Sequence, residues 1–249
     1  MIHIHTPKEQ AGLRASGQVL AQVMNALIAA VRPGVTLLQL ERVAADTIQQ
    51  AGAQPAFVGY HGYKNVLCTS VNEEVVHCPP TTRALQAGDL VSIDAGVIVD
   101  GMYSDCAVTV PVGDVSDAAK QLISVTRTAL YDIARSVIKP GNTIGDIGHA
   151  VQAYVESHGF SVVRQLVGHG IGRHLHEEPS IPNYGKPHTG LVLKPGMAIA
   201  VEPMVNIGGA DVTFQDDGWR VVTSDSSLSA HFEHTFLITE AGCEVLTEL

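Results

Sequence analysis

The two halves of this chain repeat one another. One run of helical periodicity stops at Pro33-Gly34 and another at Pro140-Gly141, 107 residues further on (140 − 33). Two residues past each glycine stands a threonine, Thr36 or Thr143, placed to cap a second helix within "VTLLQLERVAADTIQQAG" or "NTIGDIGHAVQAYVESHG". The echo continues into strands. "AGDLVSID" and "PGMAIAVE" each leave a glycine turn and end on a carboxylate, Asp94 or Glu202, 108 residues apart (202 − 94). A helix–turn–helix–strand match at nearly constant offset predicts two related α/β halves facing each other, with acids from both meeting between them. No Pro/Gly/Ser-rich linker separates the halves, so the expectation is one domain over 1–249, with repeats at approximately 6–110 and 113–240. Runs such as "LVSIDAGVIVDGMYSDCAVTV", folded at a hairpin-type Asp100-Gly101 turn, predict an α+β class with a mixed, largely antiparallel sheet covered by helices.

Composition narrows the function. A formal net charge of −10 disfavours broad nucleic-acid or anionic-membrane binding and leaves room for cations. Cys68, Cys78, Cys106 and Cys243 form no CxxC pair, which points to reduced thiols in a cytosol. The apolar run "VLAQVMNALIAAV" is broken by Gln22 and Asn25, and so reads as an amphipathic helix rather than a signal peptide. No apolar stretch approaches the ~18 residues of a membrane span, so the chain is expected to be soluble and intracellular.

Acids in apolar strands are the chemical signal. The Asp100-Gly101 turn would bring Asp94 and Asp105 onto adjacent strands, and Glu233 interrupts the apolar run "SAHFEHTFLIT". Buried carboxylates are rarely tolerated unpaired, so such a group calls for a cation. "LVGHGIGRHLHEEPS" adds His169, His174 and His176 beside glycines that allow close backbone approach. Four carboxylates, with Glu202, and one of these imidazoles carry enough charge for two divalent ions of the Mn, Fe, Co or Zn type. His3 and His5, in an "HIH" near the start, read as a strand start or frayed tail rather than a metal site.

The order "IDAGVIVDGMYSD", "GHGIGRHLHEEP", "VEPMV" and "SLSAHFEHT", with "DGW" at 217–219, resembles the type I methionine aminopeptidases over nearly the whole chain. The resemblance implies their pita-bread fold and a metal pair of Co, Mn, Fe or Zn. In it Asp94 would chelate one ion, Asp105 and Glu233 would bridge both, and His169 and Glu202 would complete the other shell. It also implies that Glu202 exchanges protons with the attacking water, that His176 donates to the developing oxyanion, and that His77 steadies the scissile amide. The methionine pocket would be lined by Phe57, Tyr60, Tyr63, Cys68, His77, Leu175, His176 and Trp219. Phe57 and Leu175 depart from the usual family residues but stay apolar. Asn72 and Ser229 match positions whose carbonyls hold a monovalent cation in some members. No role transfers to His174, Glu177 or Glu178, and Cys68 reads as an inert buried thiol. The implied activity is removal of the first methionine from nascent chains, mainly before a small second residue, by a cytoplasmic monomer at the ribosome without nucleic-acid or membrane partners. The alternatives are a proline-specific dipeptidase of the same fold and a metal-free binding module.

Overall fold

Capping threonines set the frame. In the computed structural model, which describes residues 2–249, helix α1 spans Pro7–Ala30 and α2 spans Leu37–Gln50. α3 covers Asp117–Thr128 and widens into π-type turns at Ala129–Ala134; α4 covers Ile144–Ser157. α1 begins with a capping box between Thr6 and Glu9, and with Pro7 in the first turn, where its missing N–H leaves no bond unmade. Thr36 and Thr143 cap as the sequence predicts, Thr36 against Gln39 and Thr143 against Asp146.

The repeat is carried in backbone hydrogen bonds as well as in residue order. Gly34 N donates to Leu85 O at 2.8 Å, and Gly141 N donates to Leu193 O at 3.1 Å. Thr36 bridges Ala84 and Thr143 bridges Val192 at matching positions. Gly34 and Gly141 take φ of 87° and 88°, a left-handed conformation that glycine adopts without steric cost.

Nine strands form the central sheet. They are β1 (Gln54–Pro55), β2 (Leu67–Val71), β3 (Leu90–Val99), β4 (Met102–Pro111) and β5 (Gly168–Gly170). The others are β6 (Glu177–Ile181), β7 (Ala198–Val201), β8 (Glu233–Thr239) and β9 (Gly242–Val245). Their order is β1-β3-β4-β8-β7-β5-β6, with β2 also on β3 and β9 also on β8. Every pairing between described strands is antiparallel. The two halves therefore share one sheet, joined where β4 meets β8. Asp100 and Gly101 both take positive φ, 50° and 76°, as a two-residue hairpin between twisted strands requires. Because that ladder runs on to Val99, Asp94 sits within β3 and not at a strand end as its repeat partner suggests; Glu202 does follow the last residue of β7.

α1 buries Leu13, Leu20, Val23, Met24 and Leu27, and it packs on β3 and β4. The segment before it is anchored rather than frayed, and it forms no strand: His5 is 3% exposed and its N–H donates to Gly196 O at 2.8 Å. No described helix is long and apolar enough to cross a membrane.

Gly17 tests the packing of α1. Alanine ordinarily stabilises a helix interior over glycine by about 1 kcal/mol. At Gly17, however, an added Cβ would run into the backbone carbonyl and side chain of Leu246. Gly17→Ala should therefore lower the melting temperature instead of raising it, which thermal unfolding followed by circular dichroism will read directly.

Candidate metal centre

Strand periodicity gathers the acids. Asp94 stands opposite Ala107, and Ala107 stands opposite Glu233 across the β4–β8 seam. Asp105 is two residues from Ala107, on the same face. Thr235 stands opposite Ala200, and Ala200 opposite His169, with Glu202 two residues beyond Ala200. Since alternate side chains leave the same face, Asp94, Asp105, His169, Glu202 and Glu233 converge on one side of the sheet. Alanines at the centre of these rows leave the space between the acids open.

The five close to ligand distance. Oxygens of Asp94, Asp105 and Glu233 lie within 4.8 Å of one another, and so do ligand atoms of His169, Glu202 and Glu233. His169 Nε2 is 3.7 Å from Glu202 Oε1 and 3.9 Å from Asp105 Oδ2. Gly168 and Gly170 flank His169, and a Cβ at either would strike the carbonyl of Ala200 or Glu178. The glycines are thus needed for β5 to be wedged between β6 and β7.

Burial dominates the electrostatics. It pushes Asp94 up to about 7, and it raises Asp105, Glu202 and Glu233 well above the usual carboxylate range, with repulsion among the four adding to the effect in those three. Asp94 Oδ1 and Glu233 Oε1 are buried with no hydrogen-bond partner. His169 is held neutral, near 3, by burial. Its Nδ1 lies 2.9 Å from the Gly170 carbonyl, to which it can only donate, so the Nε2 lone pair faces the carboxylates. An imidazole oriented by a carbonyl, beside orphaned carboxylate oxygens, fits a divalent ion.

The residues predicted for the substrate pocket line the same cavity. Phe57, Tyr63, Cys68 and Leu175 form a buried apolar cluster, with Tyr60 and Trp219 packed against it. Tyr63 and Trp219 meet edge to face, with ring centroids 4.7 Å apart. Burial raises the Cys68 thiol far above its ordinary value, so it is an apolar wall and not a nucleophile. His77 lines the cavity from a backbone φ of 63°, and burial lowers it to about 4. The ring of His176 lies 4.1 Å from that of His169, and its Nδ1 is hydrogen-bonded to the Tyr60 hydroxyl.

Other predicted positions lie outside the cavity. His174 and Glu178 are exposed, and Glu177 accepts the N–H groups of Arg173 and His174, shaping the loop. Asn72 and Ser229 are brought together, with Ser229 N donating to Asn72 O at 2.9 Å. Sequence reasoning missed His231. It is 1% exposed, neither ring nitrogen has a partner, and its Nε2 is 3.7 Å from Glu202 Oε2. Its spacing of two from Glu233 was the available signal.

A pseudo-symmetric sheet carrying a carboxylate–imidazole cluster at one end of an apolar cavity defines a metal-dependent hydrolase of the pita-bread type. The model of metallopeptidase family M24 matches residues 11–240. Methionine aminopeptidase 1 of Bacillus subtilis is 46% identical over all of this chain and all of its own. The crystal structure of methionine aminopeptidase from Thermotoga maritima superposes with a TM-score of 0.98, at 46% identity and full coverage of both chains. Prolidase from Pyrococcus furiosus shares the fold at a TM-score of 0.79 and 23% identity, with 99% of this chain matching 65% of that one. The chain belongs to metallopeptidase family M24 and, within it, to the methionine aminopeptidases.

Proton linkage gives a test. Carboxyls with raised values must release protons to bind a cation, so divalent-ion affinity should climb with pH through the region of Asp94, about 7, and weaken below it. Calorimetric titration with Mn(II) at pH 6 in two buffers of different ionisation enthalpy should report proton release; its absence would contradict the burial. Without metal the sign reverses. The folded state then holds these protons more tightly than the unfolded chain, whose acids titrate near 4. Metal-free stability should therefore fall as pH rises from about 4 past 7, and a metal-free melting series will show the slope.

Proposed function

We propose that this chain hydrolyses the first peptide bond of polypeptides that begin with methionine, releasing the free amino acid. The observation that carries the reading is a single cavity in which an apolar cluster adjoins five convergent ligand side chains. The full-length similarity to methionine aminopeptidases supports it. The reading extends to nascent chains in the cytoplasm, small second residues, and a monomeric enzyme.

Asp94, Asp105, His169, Glu202 and Glu233 would hold two divalent ions, of Mn, Fe, Co or Zn. When bound, such ions lower the pKa of water towards neutrality and polarise the scissile carbonyl. The methionine side chain enters between Phe57, Tyr63, Cys68, Leu175 and Trp219, where burial of its thioether and methylenes drives binding. Gly96 keeps that end open, because a Cβ there would lie 2.9 Å from Phe57 Cε1.

Glu202 takes the proton of the attacking water at its carboxylate and delivers it to the leaving nitrogen; burial, which raises its pKa, suits it to hold that proton in transit. With the Tyr60 hydroxyl donating a hydrogen bond to His176 Nδ1, the single ring proton of neutral His176 sits on Nε2, free to donate to the developing oxyanion. His77, neutral through burial and lining the cavity, steadies the amide.

Loss of one such donor costs about 10²–10³ in rate. His176→Ala should lower kcat by that order with metal content retained. Tyr60→Phe, which removes only the bond that fixes the tautomer, should cost roughly tenfold. Hydrolysis of Met-Ala-Ser measures both. Faster cleavage of Ala-Pro than of Met-Ala-Ser would instead favour a proline dipeptidase, and a chain that takes up no divalent ion would favour a metal-free binder.

A further inference from the structure

The anchored segment before α1 carries a second cluster of ligand-type side chains, outside the cavity. One ligand atom from each of His3, His5 and Glu9 lies within 4.8 Å of the others. His3 Nε2 is 3.2 Å from Glu9 Oε2, and the rings of His3 and His5 meet edge to face with centroids 4.6 Å apart.

His5 shows what the cluster is built for. Its Nε2 lies 3.1 Å from the Ile171 carbonyl, and because a carbonyl only accepts, that nitrogen carries the proton. Nδ1 is left as a bare lone pair. It is buried, and no protein group bonds to it. An imidazole that donates through one nitrogen to a backbone carbonyl and keeps the other free has the tautomer and orientation of a metal ligand, the arrangement also found at His169. Glu9 is fixed by the capping box, its Oε2 accepting from Thr6 N at 2.8 Å and from Thr6 Oγ1 at 2.9 Å.

We infer that His3, His5 and Glu9 form a peripheral metal site that takes one divalent ion of the zinc class, with water completing the shell. Two imidazoles and one carboxylate are a donor set that zinc favours, three protein ligands leave its fourth position open, and a net charge of −10 draws cations to the surface. Arg173 also rests on Glu9, and the incoming ion displaces it from there; its side chain is 61% exposed, so water replaces the contact. Ile171 and Arg173 belong to the stretch between His169 and His176, so the occupied site fastens the N-terminal segment to the loop that carries both cavity histidines.

Zinc(II) uptake by the full chain, after chelation and return of zinc chloride, can be counted by native mass spectrometry. His3→Ala removes a ligand from a partly exposed position. Glu9→Gln keeps the capping box, which glutamine serves equally, but loses the anionic ligand. Each should bind one zinc fewer than the wild type while still cleaving Met-Ala-Ser. In an Asp94→Asn, Asp105→Asn background, which disarms the buried centre, one zinc should remain and should vanish on adding His3→Ala. Equal zinc counts in wild type, His3→Ala and Glu9→Gln, or no zinc in the disarmed background, would overturn the peripheral site and leave the buried centre untouched.

Discussion

Four carboxylates packed into one buried space repel one another, and the rest of the architecture answers that repulsion. Charges a few ångströms apart in a poorly solvated interior interact far more strongly than at a surface, so such a group persists only if its frame is stiff and its charge is offset by protons or cations. The frame here is sheet rather than loop. Asp94 is held by ladders on both sides, Asp105 by the β3 ladder and Glu233 by the β4 ladder, and β4 is pinned to β8 beside them. Thr235 Oγ1 makes that seam rigid: it accepts from Asp105 N at 3.0 Å and donates to Asp105 O at 2.9 Å. Ligands set on strands hold their spacing whether or not an ion is bound, which is the condition for metal affinity rather than collapse.

Histidines of one chain acquire different chemistry from the partner of their second nitrogen. Carbonyls of Gly170 and Ile171 accept from one ring nitrogen of His169 and His5 and so leave the other as a bare lone pair, which suits it to a metal. A hydroxyl can donate as well as accept, so Tyr60 can leave His176 with its free nitrogen protonated, which makes a donor. His234, with Nδ1 2.8 Å from Thr247 Oγ1 beneath the Tyr131 ring, is enclosed on the far face of the sheet. Residue type alone distinguishes none of these.

That difference also marks how far the sequence could be read. The repeat, the caps at Thr36 and Thr143, the Asp100-Gly101 hairpin and the convergence of the acids were legible because each rests on local spacing, or on the strict alternation of strands. Asp94 was misplaced to a strand end because the repeat fixes an offset and not the length of the ladder around it. Local pattern reads His5 as a strand start or frayed tail because its burial depends on Ile171 and Gly172, far away in sequence. His231 faces Glu202 only once β7 and β8 are paired, and the register between strands so distant in the chain is written in no local pattern.

Specificity and chemistry share the same ladder. Cys68, a wall of the apolar cluster, stands directly opposite Asp94. Gly96, which makes room for Phe57, stands opposite Asp105. Each acid of the first half is therefore paired across a strand with a residue that shapes the apolar end. A shift of one residue in either register would turn the ligands away from the cavity and the wall with them. The distance from a bound side chain to the carboxylate cluster is set by strand spacing and not by a loop. A chain built this way can change the residues of its pocket while the geometry of the acids stays where the sheet puts it.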